Sequence, residues 1–287
     1  AFEAASKLFA SGKYSPESVD FILLCTQSPD YFLPTTACIL QNRLGIPTTA
    51  GALDFNLGCS GYVYGLGLAQ GLVSSGQASN VLLLTAETYT KFLHERDRSV
   101  RTIFGDAAAA TLITAVEADR PYMGPFLYGT DGRGAENLIV KTGGMRCPRT
   151  EASSIAATDE SGNIRSEDNL YMNGGDIFTF TLTSVPASVN NLLSKAGLSM
   201  DEVDLFVFHQ ANKYMLDHLR KKIAIPEEKF YLFLKSCGNT VSSTIPIALK
   251  EAACEGRLRD GMRVMLVGFG VGYSWGATLV RWSAVNR

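Results

Sequence analysis

Apolar residues in this chain come in short, nearly unbroken runs, separated by segments in which they recur every three or four positions. The runs SVDFILLCTQ (18–27), NVLLLTAE (80–87), EVDLFVFHQ (202–210) and RVMLVGFG (263–270) read as strands buried on both faces. After Ala52, Leu53 and Phe55, a strand-like run breaks at Gly58-Cys59-Ser60-Gly61. Tyr62, Leu66, Ala69, Leu72 and Val73 then repeat at helical spacing. The break therefore places Cys59 at or near a helix N-terminus.

The same order of elements occurs twice. In the first half the strand over 18–27 precedes a helix, LGIP (44–47), the strand ending at Cys59, a long helix, the strand over 80–87 and FGDAAAATLI (104–113). In the second half the strand over 202–210 precedes a helix, IAIP (223–226), a short strand, CGNT (237–240), another helix, the strand over 263–270 and WGATLVRW (275–282). Val81 and Val264 open matching strands, as do Val19 and Val203, at offsets of 183 and 184 residues. A duplicated βαβ-type unit leaves this trace. Residues 120–169 are rich in Gly, Ser, Thr and charge and read as an irregular excursion near an active-site mouth. The expected organisation is an N-terminal half over 1–119, an irregular region over 120–170 and a C-terminal half over 171–287. The first residues read as an amphipathic helix followed by a turn and a strand, not as a signal peptide. With no initiating Met and an opening already in mid-helix, the chain is expected to lack its beginning.

With 287 residues, 46% hydrophobic and 19% charged, the composition is that of a globular α/β protein. The longest apolar runs fall far short of the ~18 residues a membrane span needs, so no membrane partner is expected. A formal charge of -2 gives no reason to expect nucleic acid. Six scattered cysteines without CxxC or Cys/His ligand spacing imply neither a disulfide framework nor a metal site, and suggest a reducing, cytoplasmic setting. Cys25, Cys38 and Cys254 read as small hydrophobes. His94 and His218, in charged helix-like segments, read as surface residues.

If the halves pack as pseudo-twofold mates, the turns at their strand ends converge on one crevice. The first half brings Cys59, the second His209 and Asn239. A free thiol has a pKa of ~8.5, and a helix N-terminus or an imidazole lowers it toward thiolate, the natural attacker of a thioester. A cysteine hydrolase uses Cys, His and Asn with His as base. The same trio can instead aim two donors at a second thioester oxygen and stabilise an enolate after decarboxylation. The glycine-rich GFGVGYSWG (268–276) can direct backbone N–H groups at an oxyanion, and its spacing is not a dinucleotide fingerprint.

Five motifs together resemble the β-ketoacyl-acyl-carrier-protein synthase III family, the initiating condensing enzymes of the thiolase superfamily: NLGCSGYVYGL, FGDAAAA, HQAN, GNTVSSTIP and GFGVGYSWG. The resemblance spans nearly the whole chain. It implies a thiolase-like α/β fold of two duplicated halves in five αβαβα layers, with an N-terminal strand and helix missing. It implies that Cys59 takes an acyl group from acyl-CoA. His209 and Asn239 then bind the thioester oxygen of malonyl-carrier protein while CO2 leaves, and the carbanion attacks acyl-Cys59. The backbone N–H groups of Cys59 and Val271 would form the oxyanion hole. Phe32 matches a residue that reaches across a dimer interface, Arg98 an arginine near the CoA adenine, and Asn212 a pantetheine contact. Lys221 and Lys222 match a basic pair facing acidic carrier protein. The expected partners are acyl carrier protein, acyl-CoA and a second copy of the chain, with no cofactor beyond the thioester substrates.

The chain departs from the family pattern in three places. About fifty residues that usually precede the nucleophile region are not present. Tyr214 stands where the family often has Arg, and Val271 where glycine is common. Two further readings stay open: a thiolase-fold acyltransferase of specialised metabolism with the same trio, and a cysteine-dependent thioester hydrolase. Hydroxymethylglutaryl-CoA synthase is disfavoured because its relatives use a glutamate base. Thiolase is disfavoured because Cys237 is not in the thiolase loop pattern.

Overall fold

The computed structural model describes residues 1–283, so the last four positions of the expected C-terminal half over 171–287 lie outside the described residues. The first half runs α1 (Phe2–Phe9), β1 (Phe21–Cys25), α2 (Thr36–Leu44), β2 (Gly51–Phe55), α3 (Gly61–Ser74), β3 (Asn80–Glu87), α4 (Arg98–Arg101) and β4 (Ala107–Thr114). Next come β5 (Met123–Thr130) and four two-residue strands: β6 (Leu138–Ile139), β7 (Ala157–Thr158), β8 (Ile164–Arg165) and β9 (Tyr171–Met172). The second half runs α5 (Gly174–Ala196), β10 (Leu205–Phe208), α6 (Lys213–Ile223), β11 (Phe230–Tyr231), α7 (Thr244–Cys254), β12 (Arg263–Gly270) and β13 (Ser274–Arg281).

Two mixed sheets follow one plan. The first is ordered β2-β1-β3-β4 and the second β11-β10-β12-β13-β5. In each, three strands are parallel and the next is antiparallel, β4 on β3 and β13 on β12. Phe21 pairs with Val81 in the first sheet and Leu205 with Val264 in the second, so the repeat seen in the sequence holds at the level of strand register.

Strand alternation explains the unbroken apolar runs. Ile22, Leu24, Leu82 and Leu84 face outward onto α1 and α2, whereas Leu23 and Leu83 face inward. The inward set meets Leu66 and Ala69 of α3 and Ala248 and Leu249 of α7, which meet Val207 and Leu266 of the second sheet. Phe206, Phe208, Met265 and Val267 point the other way, onto α5 and α6. The result is five layers, αβαβα, with α3 and α7 in the middle. Among the described residues, no helix is long and apolar enough to cross a membrane.

In the fold, the structure corrects the sequence reading in two places. Residues 123–130, within the stretch expected to be irregular, form the regular edge strand β5. Gly124, Pro125 and Gly129 look like breakers, but pairing with β13 decides, and Trp275 lies directly over Gly129. The irregular part is tied down by Arg165, which bridges the buried Asp97 at 3.1 Å and Asp159 at 2.9 Å. Cys25 is buried as expected, but Cys38 and Cys254 are exposed. On α2 it is Ala37 and Leu40 that face the core, and Cys254 is the final residue of α7, beyond the buried Ala252.

Candidate active site

The candidate site is built around the C-terminal end of β12. Glycines there let the Cys59 turn approach the strand's backbone: a Cβ at Gly268 would sit 2.7 Å from Cys59 O and from Ser60 Cα, and one at Gly270 2.7 Å from Cys59 Sγ. Cys59 thus lies against the strand, two residues before α3 begins, with Ser60 as N-cap. Ser60 Oγ and Ser274 Oγ, 2.7 Å apart, fasten the turn to β13. Two backbone N–H groups, those of Val271 and of Cys59 itself, are directed at the thiol and favour its charged form.

His209 follows directly after β10, and its N–H bonds Val267 O of β12 at 2.8 Å. The imidazole packs edge-on to Phe269, with centroids 5.5 Å apart. Asn239 is placed from the first half: its N–H bonds Ile103 O and its carbonyl accepts from Gly105 N–H, each at 2.9 Å. Val241 to Thr244 each have a separate task. Val241 N–H donates to Asn239 Oδ1 at 2.9 Å, which commits the oxygen and leaves the side-chain NH2 free. Ser242 Oγ bonds Glu87 Oε1 at 2.9 Å, Ser243 Oγ pairs with Thr85 Oγ1 at 2.8 Å, and Thr244 Oγ1 meets His209 Nδ1 at 2.7 Å. Val241 adopts left-handed backbone, φ 56°, a strain of about 1–3 kcal/mol that these bonds hold in place.

Burial dominates the electrostatics. The Cys59 thiol is pushed up to about 12, chiefly by desolvation, with the Glu87 carboxylate adding to the effect. This corrects the expectation of a lowered thiol pKa: removal from water outweighs the two N–H groups directed at the sulfur. Burial also holds His209 down at about 3, so its imidazole is neutral. Glu87, the last residue of β3, is pushed up to about 7 by burial.

Other expected site residues spread around this centre. Phe32 projects at the tip of the β1–α2 loop and is 82% exposed, as is its neighbour Leu33. Arg98 is an exposed residue opening α4, and its N–H bonds Asn163 Oδ1. Asn212 caps α6, accepting from Met215 N–H at 2.8 Å through Oδ1, so its amide NH2 remains available. Lys221 and Lys222 are exposed in the last turn of α6. Tyr214, 65% exposed, sits beside His218 and Phe178 in place of a cation. Sequence reasoning missed Glu87 and Thr244. The signal for Glu87 was a lone carboxylate closing an otherwise apolar strand.

A buried thiol faced by two N–H groups, with a neutral imidazole and a free amide on turns of the opposite half, is the arrangement of a thiolase-fold acyltransferase. The model for 3-oxoacyl-[acyl-carrier-protein (ACP)] synthase III matches residues 53–132, and the model for its C-terminal part matches residues 193–282. The β-ketoacyl-[acyl-carrier-protein] synthase III of Clostridium perfringens is 36% identical over 281 residues, which are 98% of this chain and 83% of that protein. That of Clostridioides difficile is 37% identical over 286 residues, 99% of this chain and 83% of the relative. A crystal structure of a 3-oxoacyl-(acyl-carrier-protein) synthase III aligns with a TM-score of 0.97 at 57% identity, covering 98% of this chain and 84% of that one. The chain belongs to the 3-oxoacyl-[acyl-carrier-protein] synthase III family of condensing acyltransferases, enzymes that initiate fatty-acid synthesis.

Proposed function

We propose that the chain performs two half-reactions at one sulfur. Cys59 Sγ attacks the carbonyl of an acyl-CoA; the new C–S bond forms, the bond to the CoA sulfur breaks, and the thiol proton leaves with CoA. The malonyl thioester of acyl carrier protein then binds with its carbonyl oxygen between the His209 ring N–H and the Asn239 side-chain NH2. The C–C bond to the carboxylate breaks, CO2 departs, and the electron pair passes into an enolate that the two donors stabilise. The carbanion attacks acyl-Cys59, whose tetrahedral oxygen is held by the N–H groups of Cys59 and Val271. Collapse releases the 3-oxoacyl product and leaves the sulfur as a thiolate, which takes up one proton from solvent to return to the thiol.

The observation that carries this reading is the commitment of Asn239 Oδ1 to Val241 N–H, which presents the amide as a donor. A hydrolase of the cysteine type needs a basic imidazole, and His209 is held neutral with its proton affinity depressed. The specialised-metabolism reading is not favoured, because the relatives at 36–37% identity and the solved structure at 57% identity are type III synthases. Around this centre Arg98 and the Asn212 amide serve CoA, Lys221 and Lys222 meet the acidic carrier, and the Phe32 loop enters a second copy of the chain. The protein works in the cytoplasm without a cofactor beyond its thioester substrates, and its nucleophile and donor halves are 1–119 and 171–287.

The test is intact mass after acetyl-CoA and again after malonyl-carrier protein. Wild type should gain one acyl group on Cys59 and lose it to a 3-oxoacyl product. Cys59→Ala should gain none, while His209→Ala and Asn239→Ala should acylate but condense about 10²- to 10³-fold more slowly. Failure of the His209 variant at acylation alone would favour a hydrolase.

A further inference from the structure

Glu87 is a carboxyl group with no place in the two half-reactions, 3% exposed, at the seam between the halves. Its Oε2 accepts from Gln27 N–H at 3.1 Å and from Ser28 Oγ at 3.2 Å, both on the segment after β1. Its Oε1 accepts from Ser242 Oγ in the asparagine turn of the other half. The Gln27 side chain in turn lies against the nucleophile turn, where a Cβ at Gly58 would be 2.6 Å from Gln27 Oε1. One carboxyl group thus touches the supports of both the thiol and the amide donor.

We propose that Glu87 is a positioning residue whose proton state gates acylation: it ties the asparagine turn to the nucleophile half, and its negative charge, when present, opposes ionisation of Cys59. The inference rests on Cys59 being the acyl-accepting thiol. The titratable groups around Glu87 are Cys25 at the end of β1, Tyr89 after β3, Asp106 before β4 and Cys59 itself, and none is a cation. Among the described residues no ion pair compensates the carboxylate, and its field acts on a sulfur that is likewise buried. Burial places its titration at about 7, within the working range of a cell.

Iodoacetamide tests this without any acyl substrate, so the result stands apart from the acyl-transfer experiment. Wild type and Glu87→Gln are alkylated from about pH 5.5 to about pH 9, and the adduct on Cys59 is followed by mass. Below the carboxyl's titration both proteins are neutral at this position, so the rates should agree. Above it only wild type carries the charge, and Glu87→Gln should react about tenfold faster, as expected for one unit charge in a partly screened interior. A ratio that does not change with pH overturns the proposal. Wild type alone provides a second check: its log rate should bend to a lower slope near the carboxyl's titration, and a straight line overturns the proposal even if the variant fails to fold. Ser242→Ala removes the tether and keeps the charge. It should slow condensation and move the bend to higher pH, because the lost hydrogen bond favoured the carboxylate. Disappearance of the bend in that variant would show that the charge is not the agent.

Discussion

One hydroxyl hydrogen sets what His209 can do. Thr244 Oγ1 lies 3.0 Å from Val241 O and 2.7 Å from His209 Nδ1, two acceptors for a single proton. For the outer ring nitrogen to donate to a thioester oxygen, the neutral ring must carry its proton on Nε2, so Thr244 must donate to Nδ1. Thr244→Val keeps the shape and removes that donor. It should leave self-acylation within about twofold of wild type and slow condensation about tenfold, the scale of one neutral hydrogen bond. Single-turnover assays on pre-acylated enzyme separate the two, and equal loss in both steps would sink the tautomer argument. At this scale the sequence was legible where chemistry is carried by residue type. A thiol between glycines, an imidazole closing a strand and an amide in a turn could be placed before any contact was known. The acidity of Cys59 was not legible, because local geometry argues for a low value and burial, a tertiary property, reverses it. Glu87 and Thr244 were missed for a related reason: each matters through a partner more than thirty positions away.

Among the elements, β12 bears most of the constraint. It pairs with β10 and β13, receives the nucleophile turn on its glycines, and accepts the His209 N–H. A methyl group at Gly268 has no flexible side chain to displace, since it meets backbone atoms of Cys59 and Ser60. Gly268→Ala should therefore destabilise the fold by about 1–3 kcal/mol, as overpacking does. It should also slow acylation more than it slows condensation from pre-acylated enzyme; urea unfolding and rapid-quench acylation measure the two effects. The limits of β3 and β12 could be read from their apolar runs alone. β5 could not, because its glycines and proline hide a strand that only its partner reveals.

The whole molecule feels the same buried groups as a dependence of stability on pH. Glu87 is held at about 7 against an ordinary 4.5, so its contribution is present at low pH and lost as pH rises from 4.5 through 7. His209, held at about 3 against 6.5, contributes in the opposite sense: its stability is present above 6.5 and lost as pH falls toward 3. Between 4.5 and 6.5 the two oppose one another. Removing one exposes the other: the stability of Glu87→Gln relative to wild type should grow by roughly 2 kcal/mol between about pH 5 and about pH 8. Urea unfolding at the two pH values measures it, and a constant difference would refute it. The duplicated architecture was legible in the order of the apolar runs, but the way each copy reaches into the other was not. The N-caps of the two central helices, Ser60 and Ser243, stand 183 positions apart, as do the last residues of β3 and β12, Glu87 and Gly270. Under that shift the residue before each cap is Cys59 in one copy and Ser242 in the other. Gly270 against Cys59 and Glu87 against Ser242 are therefore equivalent crossings in the two copies, related by the repeat. At one crossing a glycine makes room for a thiol; at the other a carboxyl group meets a hydroxyl and closes a clasp.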